Sequence, residues 1–333
     1  MRSLFTIAVV LAATLAACGK SPSTMTGDDD TMTPDAPGST DPNGTPAFEV
    51  LTAPINLAPG DQETDCYYFH TSNTTPVFIN KWVSEMTVGS HHGILFLNPG
   101  GNGGKADGTI DQDCSIGGQG TVWTYATQTP TAELDLPSDD GTGKPLAQLV
   151  PPNTAAFFQL HYLNQQDGPA MGQMHLKAYA LPAGTAYTQT DAYVTYQFQI
   201  SVPPNATNVK ATGACPLPQG VKFWTLSTHS HKQSTATSIS DGSTQLFSST
   251  DWDHPGAMTW NTAPFYTFTS PKMSWECTYD NTTPPPAGNS NITVVQGQSA
   301  STNEMCMATG YYFPATGPKF EVADGAGICG DAP

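Results

Sequence analysis

Basic residues are scarce in this sequence: 11 lysines and arginines stand against 28 aspartates and glutamates, and the formal charge is −17. A protein that follows a nucleic-acid backbone needs clustered cations to neutralise the phosphates. The charge balance therefore argues against nucleic acid as a partner. Charged residues are only 12% of the chain, whereas glycine, proline, serine and threonine are frequent. This composition is typical of an exported, β-rich protein with many turns.

Long apolar runs are missing beyond the N-terminus, so the sequence predicts no transmembrane segment. Residues 1–18 have a charged start, a short apolar stretch and the sequence Leu15-Ala16-Ala17-Cys18, which together indicate an export signal. Leu-Ala-Ala-Cys resembles the lipobox of bacterial lipoproteins, in which the cysteine becomes the lipidated N-terminus. We expect Cys18 to be the lipid anchor. Gly19, where lipoproteins kept at the inner membrane carry aspartate, favours the outer membrane, on its periplasmic or its surface face. The alternative is a soluble periplasmic protein in which Cys18 is incidental.

Apolar residues are rare in residues 19–47, which are mostly Ser, Thr, Pro, Gly and Asp. Such a segment cannot bury a core, so it predicts a flexible tether without chemistry of its own. We expect a monomer that contacts the membrane only through the lipid anchor.

The remaining chain is longer than one hydrophobic core usually organises, so two domains are expected, at 48–187 and 188–333. Segments 155–162, 192–200 and 221–226 are rich in β-branched and aromatic residues and are bounded by Pro, Gly or Asn, which predicts strands. No amphipathic helix of three turns is apparent. We therefore predict an all-β protein of two tandem antiparallel β-sandwiches, jelly-roll-like, with disulfides.

Cysteines support this division. Of the 7 cysteines, Cys18 is assigned to lipid, and the rest form an even set that predicts three disulfides in an oxidising compartment. Two of them precede residue 200 and four follow it, so each half can close its own bridges. The set is Cys66, Cys114, Cys215, Cys277, Cys306 and Cys329.

Histidines supply the first chemical signal, because five of the 8 fall in three contexts. These are His91-His92, His161 within Gln159-Leu160-His161-Tyr162, and His229-Ser230-His231. Side chains two residues apart on a strand project to the same side, so the last pair can bind one ion together. Adjacent His91 and His92 would point to opposite faces of a regular strand, so joint ligation requires a bulge or a strand end.

A single histidine is more often a half-buried, hydrogen-bonded side chain than a ligand, and His70, His175 and His254 are isolated. The three contexts together, in a chain without a basic patch or a Gly-rich phosphate loop, indicate metal binding. Met305, in Glu304-Met305-Cys306, is by composition alone a core residue. Joined to imidazoles, however, its soft thioether favours copper, especially Cu(I), over zinc.

These four motifs, in this order, resemble those of the ascorbate-dependent type II copper monooxygenases, the family of peptidylglycine α-hydroxylating monooxygenase and dopamine β-monooxygenase. The resemblance covers about Ala47 to Cys329 and extends to the placement of the cysteines. It implies a copper-dependent monooxygenase that hydroxylates an aliphatic C–H bond of a small organic molecule. O2 and ascorbate, or a similar reductant, would be the co-substrates.

The resemblance also implies two coppers per chain that face each other across a solvent cleft. One copper would store an electron, and its ligands would be His91, His92 and His161. The other would bind O2, and its ligands would be His229, His231 and Met305. Gln159 joins His229, His231 and Met305 among the catalytic residues that the resemblance implies. The implied disulfides are Cys66–Cys114, Cys215–Cys329 and Cys277–Cys306, the last of which would fix the loop that carries Met305.

Departures from the family concern the substrate. The peptide-amidating enzyme binds a substrate carboxylate with an arginine two residues before His-x-His and with an Asn and a Tyr after the methionine; Ser227, Met307 and Thr309 stand at these places. A lining without a cation cannot offset the burial of a carboxylate. A glycine-extended peptide is therefore disfavoured. Gly93 also replaces a methionine of the animal enzymes, which would loosen the first site.

Two other classes of function stay open. One is a non-catalytic surface lipoprotein that binds or buffers copper, which the changed substrate positions favour. The other is a structural or adhesive domain whose histidines are ordinary core or surface residues.

Overall fold

The computed structural model describes residues 41, 43–98, 105–112, 121–285, 287–323 and 329–331. The signal peptide with Cys18, most of the 19–47 segment, and Cys114 lie outside the described residues, so the expected lipid anchor and the Cys66–Cys114 bridge cannot be placed. No helix long and apolar enough to cross a membrane occurs in the described residues.

The fold is all-β, as predicted, and its described residues contain no α-helix. The strands of the N-terminal half are β1 (Phe48–Leu51), β2 (Ile55–Leu57), β3 (Gln62–His70), β4 (Val77–Met86), β5 (Ser90–Asn98), β6 (Ile110–Asp111), β7 (Val122–Thr127), β8 (Thr131–Asp135), β9 (Leu146–Val150), β10 (Ala155–Leu163), β11 (Ala170–Gly172), β12 (Met174–Ala180) and β13 (Thr188–Gln189).

The strands of the C-terminal half are β14 (Asp191–Gln197), β15 (Ser201–Val202), β16 (Val209–Pro216), β17 (Lys222–Ser230), β18 (Ser234–Asp241), β19 (Thr244–Ser249), β20 (Ala257–Thr259), β21 (Lys272–Tyr279), β22 (Val294–Val295), β23 (Cys306–Phe313), β24 (Lys319–Ala323) and β25 (Cys329–Asp331). The three strands predicted from the sequence correspond to β10, β14 and β17.

Each half is a β-sandwich built from two main sheets. In the N-terminal half these have the strand orders β1-β12-β4-β9-β13, with β8 beside β4, and β6-β3-β10-β5-β7. In the C-terminal half the orders are β20-β17-β23-β14-β24-β25 and β16-β21-β18-β19. Pairing is antiparallel except between β9 and β13 and between β14 and β24. The chain passes between the halves after β13, which still pairs with the N-terminal sheet, and β14 begins the C-terminal one.

The C-terminal sheet that contains β14, β17 and β23 is buried on both faces. Alternate residues of its strands pack into different cores: Val194, Met307 and Tyr311 join the core that includes the N-terminal half, whereas Tyr193 and Tyr312 face the second sheet of their own sandwich. Continuous apolar runs in these strands follow from burial on both sides. The two halves therefore share one apolar interface beside the candidate site.

Two disulfides lie in the C-terminal half, and they are the pairs that the family resemblance implies. Cys215 is bonded to Cys329, and Cys277 is bonded to Cys306. The second bridge joins β21 to the first residue of β23, directly after Met305. Its covalent constraint holds the segment before β23 against the neighbouring sheet.

Candidate metal centre

Five buried histidines converge where the two halves meet. They come from β5, β10, β17 and the residue that follows β17, and each is at most 7% exposed. The ring centroids of His92 and His229 are 5.2 Å apart, and those of His91 and His231 are 5.7 Å apart. His161 lies 5.1 Å from His91 and 6.1 Å from His231 by the same measure. We call these five residues the histidine cluster.

A bulge in β5 allows both adjacent histidines to enter the cluster. His161 of β10 pairs with His92, and the next residue, Tyr162, pairs with Ser90. His91 is therefore the extra residue of a β-bulge, which turns its side chain from the alternation of the strand. The sequence required a bulge or a strand end for joint ligation, and a bulge is present.

The expected separation of the two ligand sets is not found. His91, His92 and His161 are in direct contact with His229 and His231 rather than across a solvent cleft. The reason is the apolar interface, which brings β5 and β10 against the end of β17. Grouped by distance, two triads have ligand atoms within 4.8 Å of one another: His91 with His161 and His231, and His91 with His92 and His229. Both triads combine ligands from the two halves.

Residues outside the predicted motifs hold two of the imidazoles, and each does so across the interface. His91 Nδ1 donates to Asp253 Oδ1 at 2.9 Å, and His229 Nδ1 donates to Gln128 Oε1 at 2.6 Å. In both cases Nε2 remains buried and without a hydrogen-bond partner. An acceptor on one ring nitrogen, with the other nitrogen free, is the usual arrangement around a metal-binding histidine.

The carbonyl of Asn303 holds the imidazole of His231, and Glu304 holds the backbone beside it. His231 Nδ1 donates to the carbonyl of Asn303 at 3.2 Å, which again leaves Nε2 unpartnered. The fully buried carboxyl of Glu304 accepts the backbone N–H groups of His231 at 2.9 Å and Gln233 at 2.6 Å. Burial raises the pKa of Glu304 to about 8, while the backbone donors oppose that shift. Glu304 thus ties the end of β17 to the segment that carries Met305.

The electrostatics of the cluster favour neutral imidazoles. Burial, reinforced by the neighbouring rings, holds the pKa values of His92, His161 and His229 well below the ordinary value. Burial and His91 lower the pKa of His231 to about 3. A neutral imidazole is the form that binds a metal, so these rings are in the ligating state near neutral pH.

Met305 is buried, at 1% exposure, and reaches the same region. The hydroxyl of Tyr196 donates to Met305 Sδ at 3.7 Å, and the hydroxyl of Tyr279 donates to the Met305 carbonyl at 2.8 Å. Its side chain lines a cavity that is also lined by His92 and His229. Met305 therefore lines the same cavity as two histidines of the cluster.

The cavity has a volume of about 280 Å³ and lies between the two halves. The three positions at which the sequence departs from the peptide-amidating enzyme, Ser227, Met307 and Thr309, all line it. Gln159 does not. It is fully buried on β10, paired with Cys66 and Ile94, two residues before His161.

The three remaining histidines lie outside the cluster. His70 pairs with Asp107, and His175 pairs with Glu49. His254, however, lines the cavity and is 41% exposed, so sequence reasoning missed its position. It belongs to the segment 251–256, which covers His91 with the ring of Trp252 at 5.3 Å.

Gly93 is closely packed. A Cβ at this position would lie 2.8 Å from Met174 Sδ and 3.0 Å from Met86 Sδ. Methionines from β4 and β12 of the facing sheet therefore fill the space that a side chain at position 93 would take.

Comparison with known proteins assigns no family to the chain. No family model matches it, and no curated protein matches it. The major capsid protein P2 from bacteriophage PM2 aligns with 8% identity and a TM-score of 0.29, over 80% of this chain and 97% of that one. The PBSX exported protein XepA aligns with 9% identity and a TM-score of 0.20, over 79% of this chain and 86% of that one. Likenesses with TM-scores this low carry no argument about function.

Proposed function

We propose that this protein is an exported copper-dependent monooxygenase, related to the ascorbate-dependent type II copper enzymes, that hydroxylates an aliphatic C–H bond of a small organic molecule. The single observation that supports this most is the histidine cluster itself. Five buried imidazoles with unpartnered ring nitrogens converge, and two of them line a cavity that the side chain of Met305 also lines.

A buried polar atom without a partner costs free energy, so a group of them implies a missing ligand. Unpartnered ring nitrogens occur on all five histidines of the cluster. Cations that accept nitrogen ligands would satisfy these ring nitrogens. This supports a resident metal more strongly than five independent core histidines.

The donor set fits copper. Imidazoles suit copper in both of its oxidation states, and a thioether stabilises the reduced ion. We propose two coppers per chain, held by His91, His92, His161, His229, His231 and Met305. Because Asp253 occupies Nδ1 of His91, this ring offers one nitrogen and can serve one ion only. Both triads that have ligand atoms within 4.8 Å of one another include His91. The two triads therefore cannot each bind an ion through all three histidines at the same time.

Bound copper would supply one-electron redox chemistry and the activation of O2, with ascorbate or a similar reductant as electron donor. The protein's own contribution is to orient the ligands through Asp253, Gln128 and Glu304 and to keep bulk water away from the cluster. The apolar interface between the halves performs the second task. The adjoining cavity would hold the substrate near Met305 and His229.

The chain would act in an oxidising compartment, which its disulfides support. We propose attachment to the outer membrane through Cys18, which metabolic labelling with a radioactive fatty acid would test. Labelling of the parent but not of Cys18→Ser is expected. Equal labelling of both would contradict the assignment.

Turnover tests the function directly. Copper-loaded protein with ascorbate and a candidate substrate should consume O2 and place one atom of isotopically labelled O2 in an alcohol product. Met305→Ala should abolish this, whereas Met258→Ala, at an exposed methionine, should not. Copper binding without turnover on any substrate would favour the non-catalytic copper-binding lipoprotein instead. An absence of copper binding would exclude both.

A further inference from the structure

The cavity between the halves has walls of apolar side chains. Ile94 and Trp123 line it from the N-terminal half, and Val194 and Met307 line it from the C-terminal half. Most of these side chains belong to the core shared by the two halves. Ligand-binding cavities are mostly apolar, with a few polar groups that set orientation, and this one adjoins the predicted metal ligands.

No Asp, Glu, Lys or Arg side chain lines this cavity within the part of the chain that the structure describes. Arg2 is the only arginine in the sequence, so no guanidinium can pair with a ligand carboxylate in the folded body. The imidazole of His254, which lines the cavity, lies 3.6 Å from Asp253 Oδ2, and Asp253 also accepts the hydrogen bond of His91. Burial of a charged ligand group would therefore go uncompensated.

Several hydroxyl groups in the wall already donate hydrogen bonds to the protein. Ser227 Oγ donates to the carbonyl of Gly256 at 2.5 Å, and the Tyr311 hydroxyl donates to the carbonyl of Thr124 at 3.1 Å. The hydroxyl of Tyr196 is directed to the thioether described above. Since few donors are left for a ligand, the wall favours a molecule with few polar groups.

We propose that this cavity binds an uncharged, largely apolar molecule of one or two fused rings. An apolar cavity of roughly 150 Å³ holds one benzene, and this cavity measures about 280 Å³. The inference that such a molecule binds depends only on the shape and lining of the cavity. That such a molecule is the substrate rests on the proposed function.

As a substrate, the molecule would present an aliphatic C–H bond to the site. One atom of O2 is inserted into that bond to give an alcohol, and the other is reduced to water. The external reductant supplies the two electrons, and two protons come from solvent. An uncharged product with one hydroxyl group would leave the cavity more readily than the substrate because the wall offers that hydroxyl few partners.

Indane is a suitable probe, since it is bicyclic and neutral and carries aliphatic C–H bonds. Its carboxylate and amine derivatives provide anionic and cationic controls of similar shape. Calorimetric titration of the metal-free protein should show one saturable site for indane. The two charged derivatives should bind at least tenfold more weakly. Equal binding of the charged derivatives, or no saturable binding of indane, would overturn the proposal.

Variants locate the binding site. Ala126 lines the cavity, so Ala126→Phe should weaken indane binding at least tenfold. Ala257→Trp, at an exposed lining position, gives a second test that leaves the core intact and should also weaken binding. Ala236→Phe, at a half-buried position of β18 that does not line the cavity, should bind indane as the parent does. Unchanged binding in both cavity variants would contradict the assignment.

Copper loading separates this inference from the proposed function. If metal-free protein binds indane and the copper-loaded protein forms no indanol, the cavity assignment holds and the monooxygenase proposal fails. If turnover occurs on other molecules and indane does not bind, the monooxygenase proposal holds and the cavity assignment fails.

Discussion

His229, in the C-terminal half, donates a hydrogen bond to Gln128, in the N-terminal half, with 2.6 Å between Nδ1 and Oε1. The reverse relationship joins His91 of the N-terminal half to Asp253 of the C-terminal half. Each half thus provides the hydrogen-bond acceptor for an imidazole of the other half. The histidine cluster can have this geometry only while the two halves are in contact, so ligand orientation and the closed interface depend on each other.

Asp253→Ala should weaken copper binding by roughly 10–100-fold, as loss of a hydrogen-bond partner of a metal-binding histidine typically does. The carboxylate orients His91 and makes it a stronger donor. A competition titration against a copper chelator measures the change. Asp107→Ala, which removes the partner of the exposed His70, is the control and should bind copper as the parent does. Equal effects of both substitutions would show that Asp253 has no special role.

Gln128→Leu tests the reciprocal contact. It removes the acceptor for His229 Nδ1 and the bond from Gln128 Nε2 to the carbonyl of Thr228. We expect copper binding to weaken by a factor similar to that predicted for the Asp253 variant. We also expect the interface between the halves to be less stable. Gln245→Leu, at an exposed position of β19, is the matched control. An unchanged copper affinity in Gln128→Leu, measured by the same chelator competition, would show that Gln128 does not orient a copper ligand.

The sequence alone predicted the all-β class, three of the strands and the five histidines of the cluster. Alternation and turn residues located β10, β14 and β17, and the spacing of His229 and His231 indicated that both could reach one ion. Convergence of all five histidines was not foreseen. It depends on how the halves pack together, and the period of a strand carries no information about that packing.

The partners of the ligands were also missed. Gln128 and Asp253 are single polar residues in turn-rich segments, and nothing in their spacing relates them to a histidine far away in the chain. A weak signal was available in Trp252-Asp253-His254-Pro255-Gly256, where an acidic residue and a histidine precede a turn. The position of His254 at the cavity required the structure.

Gly310 of β23 lines the cavity and lies close to β17. A Cβ there would be 2.5 Å from the carbonyl oxygen of Thr225 and 2.9 Å from Leu226 Cδ2. Because the first contact is with backbone, Gly310→Ala should lower the free energy of unfolding by about 1–3 kcal/mol. Urea titration measures this. Gly168→Ala, with nothing within 4 Å, should change it little, and equal effects would refute the close approach.

The carboxylate of Asp140 lies next to β13, where the chain passes from one half to the other. Its hydrogen bonds predict that the stability of the protein depends on pH. Its carboxylate accepts hydrogen bonds from Thr188 Oγ1 at 2.6 Å and from Thr142 N and Oγ1 at 2.7 Å. Although burial opposes the change, these bonds lower its pKa from 3.8 to about 2. A folded-state pKa below the unfolded value means that the stabilisation is present above pH 3.8 and is lost as the pH falls towards 2.

Asp140→Asn should therefore be less stable than the parent by about 1–2 kcal/mol at neutral pH. The difference should vanish as the pH approaches 2, close to the folded-state pKa. Urea titrations at several pH values measure it, with the exposed Asp167→Asn as a control that should follow the parent throughout. If the difference in the free energy of unfolding stays constant down to that pH, the stabilisation by Asp140 does not depend on its charge.

Copper content per chain tests the central proposal most directly. Purified protein is loaded with copper, freed of excess by dialysis and analysed for metal and protein, together with His161→Ala, Met305→Ala and the control His175→Ala, whose ring pairs with Glu49 outside the cluster. We expect two coppers in the parent and in His175→Ala, and about one in each of the other two variants. No bound copper in the parent, or a content unaffected by His161→Ala, would contradict the assignment of the histidine cluster as a copper site.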